Sequence, residues 1–309
     1  MDAWLSDFIA AEGLPPDFAA TAQAICAPLV ETILGQAKAP GFVVGVCGTQ
    51  ASGKSTLTAV LKHMLEVRGA RVAALSLDDL YLTHAARQAL AREVHPLLAT
   101  RGVPGTHDVA LGLAVLDSLA RPGETLLPAF DKSTDDRQPA GAPVAGPVDV
   151  ILFEGWCVGA VAQDPAALAE PVNALERERD PDGRWRSFVN AALAGPYQDL
   201  FSRIDLLVLL KAPSFEVVLA WRREQEAKLR ARLAREGGDL KRAMTDDQVA
   251  DFIAHYERLT RHILAEMPGR ADLVVALDEN RKPFPPRGRG GVSPSLPPPP
   301  RPPPAPSTS

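Results

Sequence analysis

The sequence predicts an α/β fold, a doubly wound, mostly parallel sheet with helices on both faces. Five apolar runs rich in Val, Ile and Leu are typical of strands buried on both sides of a parallel sheet. Segments of helical periodicity separate these runs, as repeated β-α units require. A glycine-rich loop lies between the first run and the first of these helices. The predicted strands span residues 42–46, 71–77, 148–153, 205–210 and 272–277.

Residues 1–40 are predicted to form a helical appendage that packs against the sheet domain. Ile25, Leu29 and Ile33 recur at i, i+4 and i+8, which places them on one face of a helix. Residues 1–7 lack a basic segment followed by an apolar core, so no secretion signal is predicted. No uninterrupted apolar segment approaches the roughly 20 residues needed to span a bilayer. We therefore expect no membrane partner.

The loop after the first strand has the pattern G-x-x-x-x-G-K-[ST], which binds nucleotide phosphates. Backbone N–H groups surround the β-phosphate in such a loop, and the dipole of the following helix adds to the anion site. Leu57, Leu61 and Leu65 lie on one face of that helix. Lys54 is expected to reach the β- and γ-phosphates, and the Ser55 hydroxyl is expected to be a Mg²⁺ ligand. The predicted nucleotide-binding residues are Gly48, Thr49, Gln50, Ala51, Ser52, Gly53, Lys54, Ser55 and Thr56.

Two carboxylates follow the second predicted strand, at Asp78 and Asp79. Ligands of an open α/β sheet bind beyond the carboxyl ends of its strands, so these side chains are expected beside the nucleotide. A carboxylate there is suited to accept the proton of an attacking hydroxyl, the role of the base in phosphoryl transfer. The alternative is that Asp78 or Asp79 is only a turn residue or a helix N-cap, and the local pattern does not decide between the two.

The third predicted strand ends in an acid, Glu154. This arrangement is typical of a Walker B element, whose carboxylate holds Mg²⁺ directly or through water. Many strands end in Glu, so the pattern gains meaning only from the phosphate-binding loop upstream. Together the two motifs predict a site for a nucleotide and Mg²⁺.

The C-terminal part of the chain contains a well-marked helix and then a change in composition. Thr245 and Gln248 have the spacing of a capping box, and an apolar helix face continues from there to Ile263. Twelve of the 29 prolines fall within residues 283–309, where the backbone cannot supply the N–H groups that a sheet needs. Residues 283–309 are therefore predicted to be a disordered, polyproline-like tail. The composition favours a passive tail, and a weak ligand for a proline-recognition domain is the alternative.

Composition and charge restrict the class of protein. A hydrophobic content of 46% and a charged content of 23% are ordinary for a globular domain. The net charge of −5 argues against a nucleic-acid partner, because phosphate backbones select basic surfaces. The 3 cysteines are widely spaced and odd in number, which fits a reducing cytoplasm better than a disulfide framework. We expect a cytoplasmic protein, and the oligomeric state does not follow from the sequence.

In their order along the chain, the motifs resemble those of the D-glycerate 3-kinase family of P-loop kinases. That family is similar to uridine kinases, phosphoribulokinases and bacterial-type pantothenate kinases. The resemblance extends from Gly41 to Asp278 and implies a P-loop kinase domain over residues 41–282 that uses ATP and Mg²⁺. The segments that carry it are GTQASGKST, SLDDLY, RGVPGTHD, LPAFDKS, LFEGW and APSFEVVLAWRREQE.

The resemblance also implies roles for individual residues. Asp78 matches the catalytic base, because it lies three residues before Tyr81 as in the related kinases' D-x-[FL]-Y pattern. Glu154 matches the Walker B acid, and Lys54 completes the catalytic set. A small anionic acceptor needs cations and hydrogen-bond donors, although each of these side chains taken alone is more often a solvated surface group. The implied acceptor-side residues are Asp79, Tyr81, Arg101, His107, Asp108, Lys132 and Arg137.

A basic segment follows the fourth predicted strand, at residues 221–230. In related kinases this region is a lid whose arginines neutralise charge on the transferred phosphoryl group. The pairs Glu224–Lys228 and Glu226–Arg230 have the i,i+4 spacing of a solvent-facing helix. The predicted lid residues are therefore the two remaining arginines, Arg222 and Arg223. Residues 173–176 and 185–186 also resemble bacterial members of the family, without an assigned role.

Together these features predict an ATP- and Mg²⁺-dependent kinase that phosphorylates a small hydroxy acid, with D-glycerate at its 3-hydroxyl favoured. Phe130 and the short loop at residues 134–136 depart from the family pattern on the acceptor side. A kinase of another small metabolite, such as pantothenate or a nucleoside, therefore stays open. A non-catalytic ATP-binding regulator that recruits partners through its proline tail is the alternative from another class. Acids at both Asp78 and Glu154 argue against that alternative.

Overall fold

A computed structural model of the chain describes residues 3–15, 17–139, 141–239 and 243–288. Strands and helices alternate along most of these residues, with short 3₁₀ turns between some of them. The strands are β1 (Phe42–Gly48), β2 (Val72–Ser76), β3 (Gly123–Leu126), β4 (Phe130–Asp131), β5 (Asp136–Arg137), β6 (Pro143–Gly146), β7 (Val150–Gly155), β8 (Leu206–Lys211), β9 (Leu273–Ala276) and β10 (Arg287–Gly288). The helices are α1 (Ala3–Glu12), α2 (Phe18–Gln36), α3 (Lys54–Val67), α4 (His84–Glu93), α5 (Val109–Leu119), α6 (Ala174–Arg179), α7 (Arg184–Ala194), α8 (Pro196–Phe201), α9 (Phe215–Glu236), α10 (Asp246–Ala254) and α11 (Glu257–Glu266).

Six of the strands form one sheet, in the order β10-β9-β8-β1-β7-β2. Strands β9, β8, β1, β7 and β2 are parallel to their neighbours, and β10 pairs antiparallel with β9 at the edge. These five parallel strands are the five that the apolar runs predict, so the predicted fold class is confirmed. Because β1 lies between β8 and β7, the loop that follows it emerges from the middle of the sheet.

Alternate residues of β1 face two different hydrophobic cores, as expected for a strand covered on both sides. Val44 and Val46 belong to a core that includes residues of α2, α3 and α9. Val43 and Cys47 belong to a second core, with residues of α5, α8 and α11. A one-residue slip of β1 would exchange these two sets, so packing on both faces specifies the register of the strand. The position of the following loop is specified with it.

Helix α2 confirms the predicted helical face near the start of the chain, since Ile25, Leu29 and Ile33 are all buried in the core. With 19 residues, α2 is also long and apolar enough to cross a bilayer by length and composition. The expectation that no segment approaches that length is wrong by this measure. The core helix of a globular domain meets the same criterion, and α2 packs against α3 with its buried face in the core that both helices share with the sheet.

The predicted boundary of the proline-rich tail, at residue 283, lies too early. Leu277 forms a bridge with Pro283, and Arg287 pairs with Val274 of the last parallel strand. Residues 283–288 are therefore attached to the edge of the sheet. The rest of the predicted tail, residues 289–309, lies outside the described residues.

The helix predicted from Thr245 begins as expected and ends earlier. Its capping box with Gln248 is present, but α10 ends at Ala254 and α11 begins two residues after His255. The break turns Tyr256 into the core, where its hydroxyl donates a hydrogen bond to the main-chain oxygen of Arg101 at 3.0 Å. The loop before α5 is thus tied to the C-terminal helices.

Candidate active site

The phosphate-binding loop joins β1 to α3 at the carboxyl edge of the sheet. Gly53 precedes α3 with a φ of 88°, a left-handed conformation that favours glycine. A Cβ atom at Gly48 would lie 2.8 Å from Ser52 Oγ. The loop therefore suits glycine at both positions, and it presents main-chain N–H groups at the N-terminus of α3 to an anion.

Several buried side-chain oxygen atoms at this end of the sheet have no hydrogen-bond partner among the described residues. Burying such an oxygen without a partner costs free energy, so each needs an explanation. They lie in the loop and at the end of the neighbouring strand, which is where a nucleotide and its metal ion would satisfy them. The atoms are Thr49 Oγ1, Gln50 Oε1, Ser52 Oγ and Glu154 Oε2.

Ser55 and Glu154 form the part of the site that fits a divalent cation. Ser55 Oγ donates a hydrogen bond to Glu154 Oε1 at 3.0 Å, and Glu154 Oε2 is the unpartnered atom. Mg²⁺ prefers oxygen ligands and is usually held by one or two protein groups together with phosphates and water. The hydroxyl and carboxylate present here match that donor set.

Asp78 lies in the 3₁₀ turn Leu77–Leu80 that follows β2. Its Oδ1 accepts a hydrogen bond from the Tyr81 hydroxyl at 2.8 Å, and its Oδ2 accepts one from Lys132 Nζ at 2.6 Å. Burial raises the pKa of Asp78, but the charges of Lys132 and Lys54 and these two hydrogen bonds outweigh it and hold the pKa at about 2. The carboxylate is therefore ionised at neutral pH, as a proton acceptor must be.

The two adjacent aspartates are not equivalent to each other. Neither of them caps the turn in which they lie. Ser76 is the cap, because its Oγ accepts a hydrogen bond from the Asp78 N–H at 3.3 Å. Asp79 Oδ1 accepts one from the main-chain N–H of Phe130 at 3.2 Å, and burial raises the pKa of Asp79. Asp79 thus attaches the β4–β5 hairpin to the turn, whereas Asp78 has the charged partners expected of a base.

The β4–β5 hairpin brings cations to the acceptor side. Lys132 extends from it with 61% of its side chain exposed. Asp135 lies in the loop of the hairpin and accepts hydrogen bonds from Arg101 and from the fully buried Arg87. The two guanidinium groups also lie over the Phe130 ring, 5.6 Å and 5.5 Å from its centroid. The structure therefore places Arg101 beside the hairpin, paired with a carboxylate of the protein itself.

His107 belongs to the same side of the site and is a neutral group there. The side chain is buried, and this burial lowers the pKa of His107 to about 3. The ring stacks on Tyr81 with a centroid separation of 4.7 Å. His107 can therefore offer the acceptor a hydrogen bond without a charge.

Arg137 and Asp108 join the acceptor-side segments to each other. Arg137 Nε donates a hydrogen bond to the Tyr81 main-chain oxygen at 2.7 Å, and Arg137 Nη2 donates one to Asp108 Oδ2 at 3.1 Å. Asp108 also caps α5 by accepting from the Leu111 N–H at 2.9 Å. The contacts of these two residues hold Tyr81 and the hairpin together.

The two predicted lid arginines differ in their surroundings. Arg222 lies 2.6 Å from a carboxylate oxygen of Glu226, which is 2% exposed and also accepts from the Met244 N–H. The predicted Glu226–Arg230 pair is therefore replaced by an Arg222–Glu226 pair. Arg223 is exposed on α9 and has no ion-pair partner in the part of the chain that the structure describes. Of the two, Arg223 is the cation left for a ligand.

Residues 173–186, to which the sequence assigned no role, anchor helices around the site. Asn173 caps α6, and Glu176 pairs with Arg258 of α11 at 2.6 Å while almost fully buried. Arg186 of α7 pairs with the fully buried Asp180 at 2.9 Å. These contacts bind α6 and α7 to the C-terminal helices and give the segment a structural role.

Three residues of the site are not predicted from the sequence: Arg87, Asp135 and Tyr197. Arg87 has no exposed surface although its helix has the charged pattern of a solvated face. Tyr197, whose hydroxyl contacts His107, lies 90 residues along the chain from it. Asp135 lies in the short loop at residues 134–136. The difference between this loop and the family pattern is the feature of the sequence that points to Asp135.

Several known proteins are similar to the chain over most of its length, although no protein-family model matches it. It is 34% identical over 264 residues to the uncharacterized kinase mug58 of Schizosaccharomyces pombe, covering 78% of this chain and 90% of that protein. It is 31% identical over 272 residues to the probable ATP-dependent kinase TDA10 of Saccharomyces cerevisiae, with coverage of 80% and 88%. It is also 31% identical over 266 residues to the chloroplastic D-glycerate 3-kinase of Arabidopsis thaliana, with coverage of 79% and 54%.

Two solved structures share both the fold and part of the sequence. A D-glycerate 3-kinase from Cryptococcus neoformans superposes with a TM-score of 0.69 at 28% identity, covering 89% of this chain and 99% of that chain. The YGR205w protein superposes with a TM-score of 0.65 at 28% identity, with coverage of 84% and 94%. The likeness therefore extends over nearly the whole of each solved chain.

Proposed function

Because the chain belongs to the D-glycerate 3-kinase family of P-loop kinases, we propose that it phosphorylates the 3-hydroxyl group of D-glycerate. The γ-phosphoryl group of ATP would pass to that hydroxyl, giving 3-phosphoglycerate and ADP. The supporting observation is the ionised Asp78 carboxylate, held by Tyr81 and Lys132 beside the charge of Lys54. An alcohol acceptor follows from the family, and the choice of D-glycerate is the proposal.

The nucleotide side of the proposed reaction uses the phosphate-binding loop. Main-chain N–H groups of the loop would bind the β-phosphate, and Lys54 would contact the β- and γ-phosphates. Ser55 and Glu154 would hold Mg²⁺, which when bound neutralises charge on these phosphates. Lys54 acts electrostatically on Asp78, which supports a single space bordered by the loop and the carboxylate.

Asp78 would accept the proton of the 3-hydroxyl as its oxygen bonds to phosphorus. A carboxylate with a pKa of about 2 is a weak base, so it needs to lose a cationic partner as the reaction proceeds. Lys132 is the partner that can leave, because its side chain is 61% exposed on a short hairpin. Movement of Lys132 toward the acceptor or the phosphoryl group would raise the pKa of Asp78 and favour proton transfer.

Recognition of D-glycerate would depend on its carboxylate. A carboxylate is best held by a planar guanidinium. The side chain of Arg101 is 23% exposed, and among the described residues it donates to no main-chain oxygen, whereas Arg137 does. Arg101 is paired with Asp135, so the substrate would compete with this internal carboxylate. His107 would add a hydrogen bond without charge.

The test is ADP production by purified protein with MgATP and one acceptor at a time: D-glycerate, pantothenate, uridine or ribulose 5-phosphate. We expect the highest kcat/KM for D-glycerate and a phosphorus NMR signal of a phosphate on C3. Lys54→Ala protein prepared in the same way is the control for a contaminating kinase. A higher kcat/KM for another acceptor would reject D-glycerate and retain the kinase. Binding of MgATP without ADP release on any acceptor would support the regulator instead.

We also propose a cytoplasmic location and a small-molecule partner. The three cysteines, Cys26, Cys47 and Cys157, are free and buried, which supports a reducing compartment. The net charge of −5 supports the absence of a nucleic-acid partner. Fractionation of cells that produce the tagged chain would test the location, and enrichment in a membrane or organelle fraction would contradict it.

A further inference from the structure

Tyr197 and His107 form a buried pair beside the proposed base. Tyr197 lies on α8 with 1% of its surface exposed, and His107 is 5% exposed. The Tyr197 hydroxyl oxygen lies 2.5 Å from His107 Nδ1 and accepts a hydrogen bond from the Gly105 N–H at 3.0 Å. His107 Nε2 is buried and has no hydrogen-bond partner among the described residues.

The donors and acceptors around this pair favour one position for the hydrogen on the His107 ring. The Gly105 N–H can only donate, so the Tyr197 oxygen is an acceptor there and its own proton is free for another acceptor. If that proton goes to Nδ1, the imidazole carries its hydrogen on Nε2, and one donor is left unpaired. If Nδ1 carries the hydrogen instead, both the Tyr197 proton and the Nε2 lone pair lack partners within the described residues. Buried polar groups are paired wherever they can be, so the first arrangement is favoured.

The imidazole is in contact with the catalytic machinery on its other side. His107 stacks on Tyr81, whose hydroxyl donates to Asp78. Asp78 is close enough for its negative charge to act on His107, yet burial outweighs that charge and keeps the imidazole neutral. A protonated His107 would be a further cation competing for Asp78, whereas the neutral ring leaves that carboxylate to Lys132 and the acceptor.

We propose that Tyr197 is a positioning residue that holds His107 as the neutral Nε2–H tautomer, so that Nε2 donates a hydrogen bond to an oxygen atom of the acceptor. The tautomer stands on the contacts of Tyr197 and Gly105 alone. The hydrogen bond to the acceptor rests on the proposed function, in which a hydroxy acid lies next to Asp78. The unpaired N–H of His107 is then the donor that the acceptor oxygen satisfies.

Nitrogen NMR of the full chain labelled on histidine tests the tautomer without nucleotide or acceptor. The chain has 6 histidines, and the signals lost in a His107→Gln variant assign this one. We expect Nδ1 of His107 to show the shift of an unprotonated nitrogen and Nε2 that of a protonated one, unchanged between about pH 5 and pH 8. A proton on Nδ1, or titration of the ring in this interval, overturns the proposal. This measurement on the wild-type chain does not depend on the folding of any Tyr197 variant.

Tyr197→Phe removes the hydroxyl and keeps the ring. We expect protonation of Nδ1 to become detectable in this variant, because its hydrogen-bond donor is gone. Tyr256→Phe is the matched control, since it removes another buried tyrosine hydroxyl, one that donates to Arg101 O at 3.0 Å. The nitrogen shifts of His107 should be unchanged in Tyr256→Phe. Nitrogen shifts in Tyr197→Phe identical to those of the wild-type chain would overturn the role of Tyr197.

Kinetics of Tyr197→Phe test the contact with the acceptor. We expect the KM for the acceptor to rise about tenfold, the effect of one misplaced hydrogen bond, while the KM for ATP stays the same. An altered tautomer with an unchanged acceptor KM would overturn the contact. If the chain phosphorylates an acceptor other than D-glycerate, the proposed substrate fails, and the same comparison on that acceptor still tests His107.

Discussion

Lys132 Nζ lies 2.6 Å from Asp78 Oδ2, so a side chain of the β4–β5 hairpin neutralises the proposed catalytic base. The two residues are 54 positions apart, and Asp79 holds the hairpin in place through the Phe130 N–H. The basicity of Asp78 is therefore controlled by an exposed cation on the acceptor side. Arrival of an anionic acceptor can then be linked to release of the base.

Lys132→Met should shift the acid limb of the pH profile of kcat/KM to higher pH. The pKa of Asp78 is held at about 2, below its ordinary value, by cations that include Lys132. Removing that charge raises the pKa, so the carboxylate is protonated, and inactive as a base, at higher pH than in the wild type. One lost cationic neighbour corresponds to a shift of about 1–3 pH units. The measurement is kcat/KM for the acceptor across the acid range.

The control for Lys132→Met is Lys62→Met. Lys62 is an exposed lysine that pairs with Glu66 within α3, so its replacement should leave the acid limb unchanged. An acid limb of Lys132→Met that coincides with that of the wild type would show that Lys132 does not influence the base. The KM for the acceptor, measured in the same experiments, reports any further role of Lys132 in binding.

Asp78→Asn should lower kcat by about 10²- to 10⁴-fold, the usual contribution of a general base. The carboxamide oxygen can still accept the Tyr81 hydroxyl hydrogen bond, so the turn should keep its shape while losing its proton acceptor. ATP affinity, measured by calorimetry, should be nearly unchanged because the phosphate-binding loop is intact. Asp117→Asn, at an exposed pair with Arg203, is the control. Equal losses of turnover and ATP affinity, or no loss at all, would contradict the role of Asp78.

The parts of this fold that the sequence predicts are those whose signals are local. The five parallel strands are continuous apolar runs because both of their faces are buried, and the loop pattern contains its own glycines. Strand β10 has no such signal, since Arg287 and Gly288 are polar or small and pair only because the edge of β9 lies beside them. The β4–β5 hairpin is equally short, and it depends on Asp79 for its position.

At the site, too, features with a local signal are predictable from the sequence, and features that depend on contacts between distant segments are not. The positions of Asp78 and Glu154 follow from the rule that ligands of an open α/β sheet bind beyond the carboxyl ends of its strands, and their strands are adjacent in the sheet. His107 depends on a contact from a distant segment, because Tyr197 lies 90 residues from it along the chain. Glu226 could pair within its own helix with either Arg222 or Arg230, and in the structure it pairs with Arg222.

Glu154→Gln should raise the Mg²⁺ concentration needed for half-maximal activity by at least about tenfold. The amide oxygen keeps an acceptor for the Ser55 hydroxyl, so the change removes the negative charge with little loss of shape. Mg²⁺ titration of ADP production at fixed ATP measures the effect. Glu124→Gln, on the exposed strand β3, is the control. The same Mg²⁺ requirement in Glu154→Gln and the wild type would exclude Glu154 as a metal ligand.

Arg222→Ala and Arg223→Ala should separate a structural arginine from a catalytic one on α9. Loss of Arg222 leaves the carboxylate of Glu226 buried without its cation, which should lower the free energy of unfolding by about 3 kcal/mol. Loss of the exposed Arg223 should change it by less than about 0.5 kcal/mol, but lower kcat by about 10²-fold if this side chain reaches the transferred phosphoryl group. Denaturant unfolding and kcat of each variant provide the two readouts, with Lys228→Ala as a control from the exposed Glu224–Lys228 pair. Full turnover in Arg223→Ala would remove that arginine from the lid.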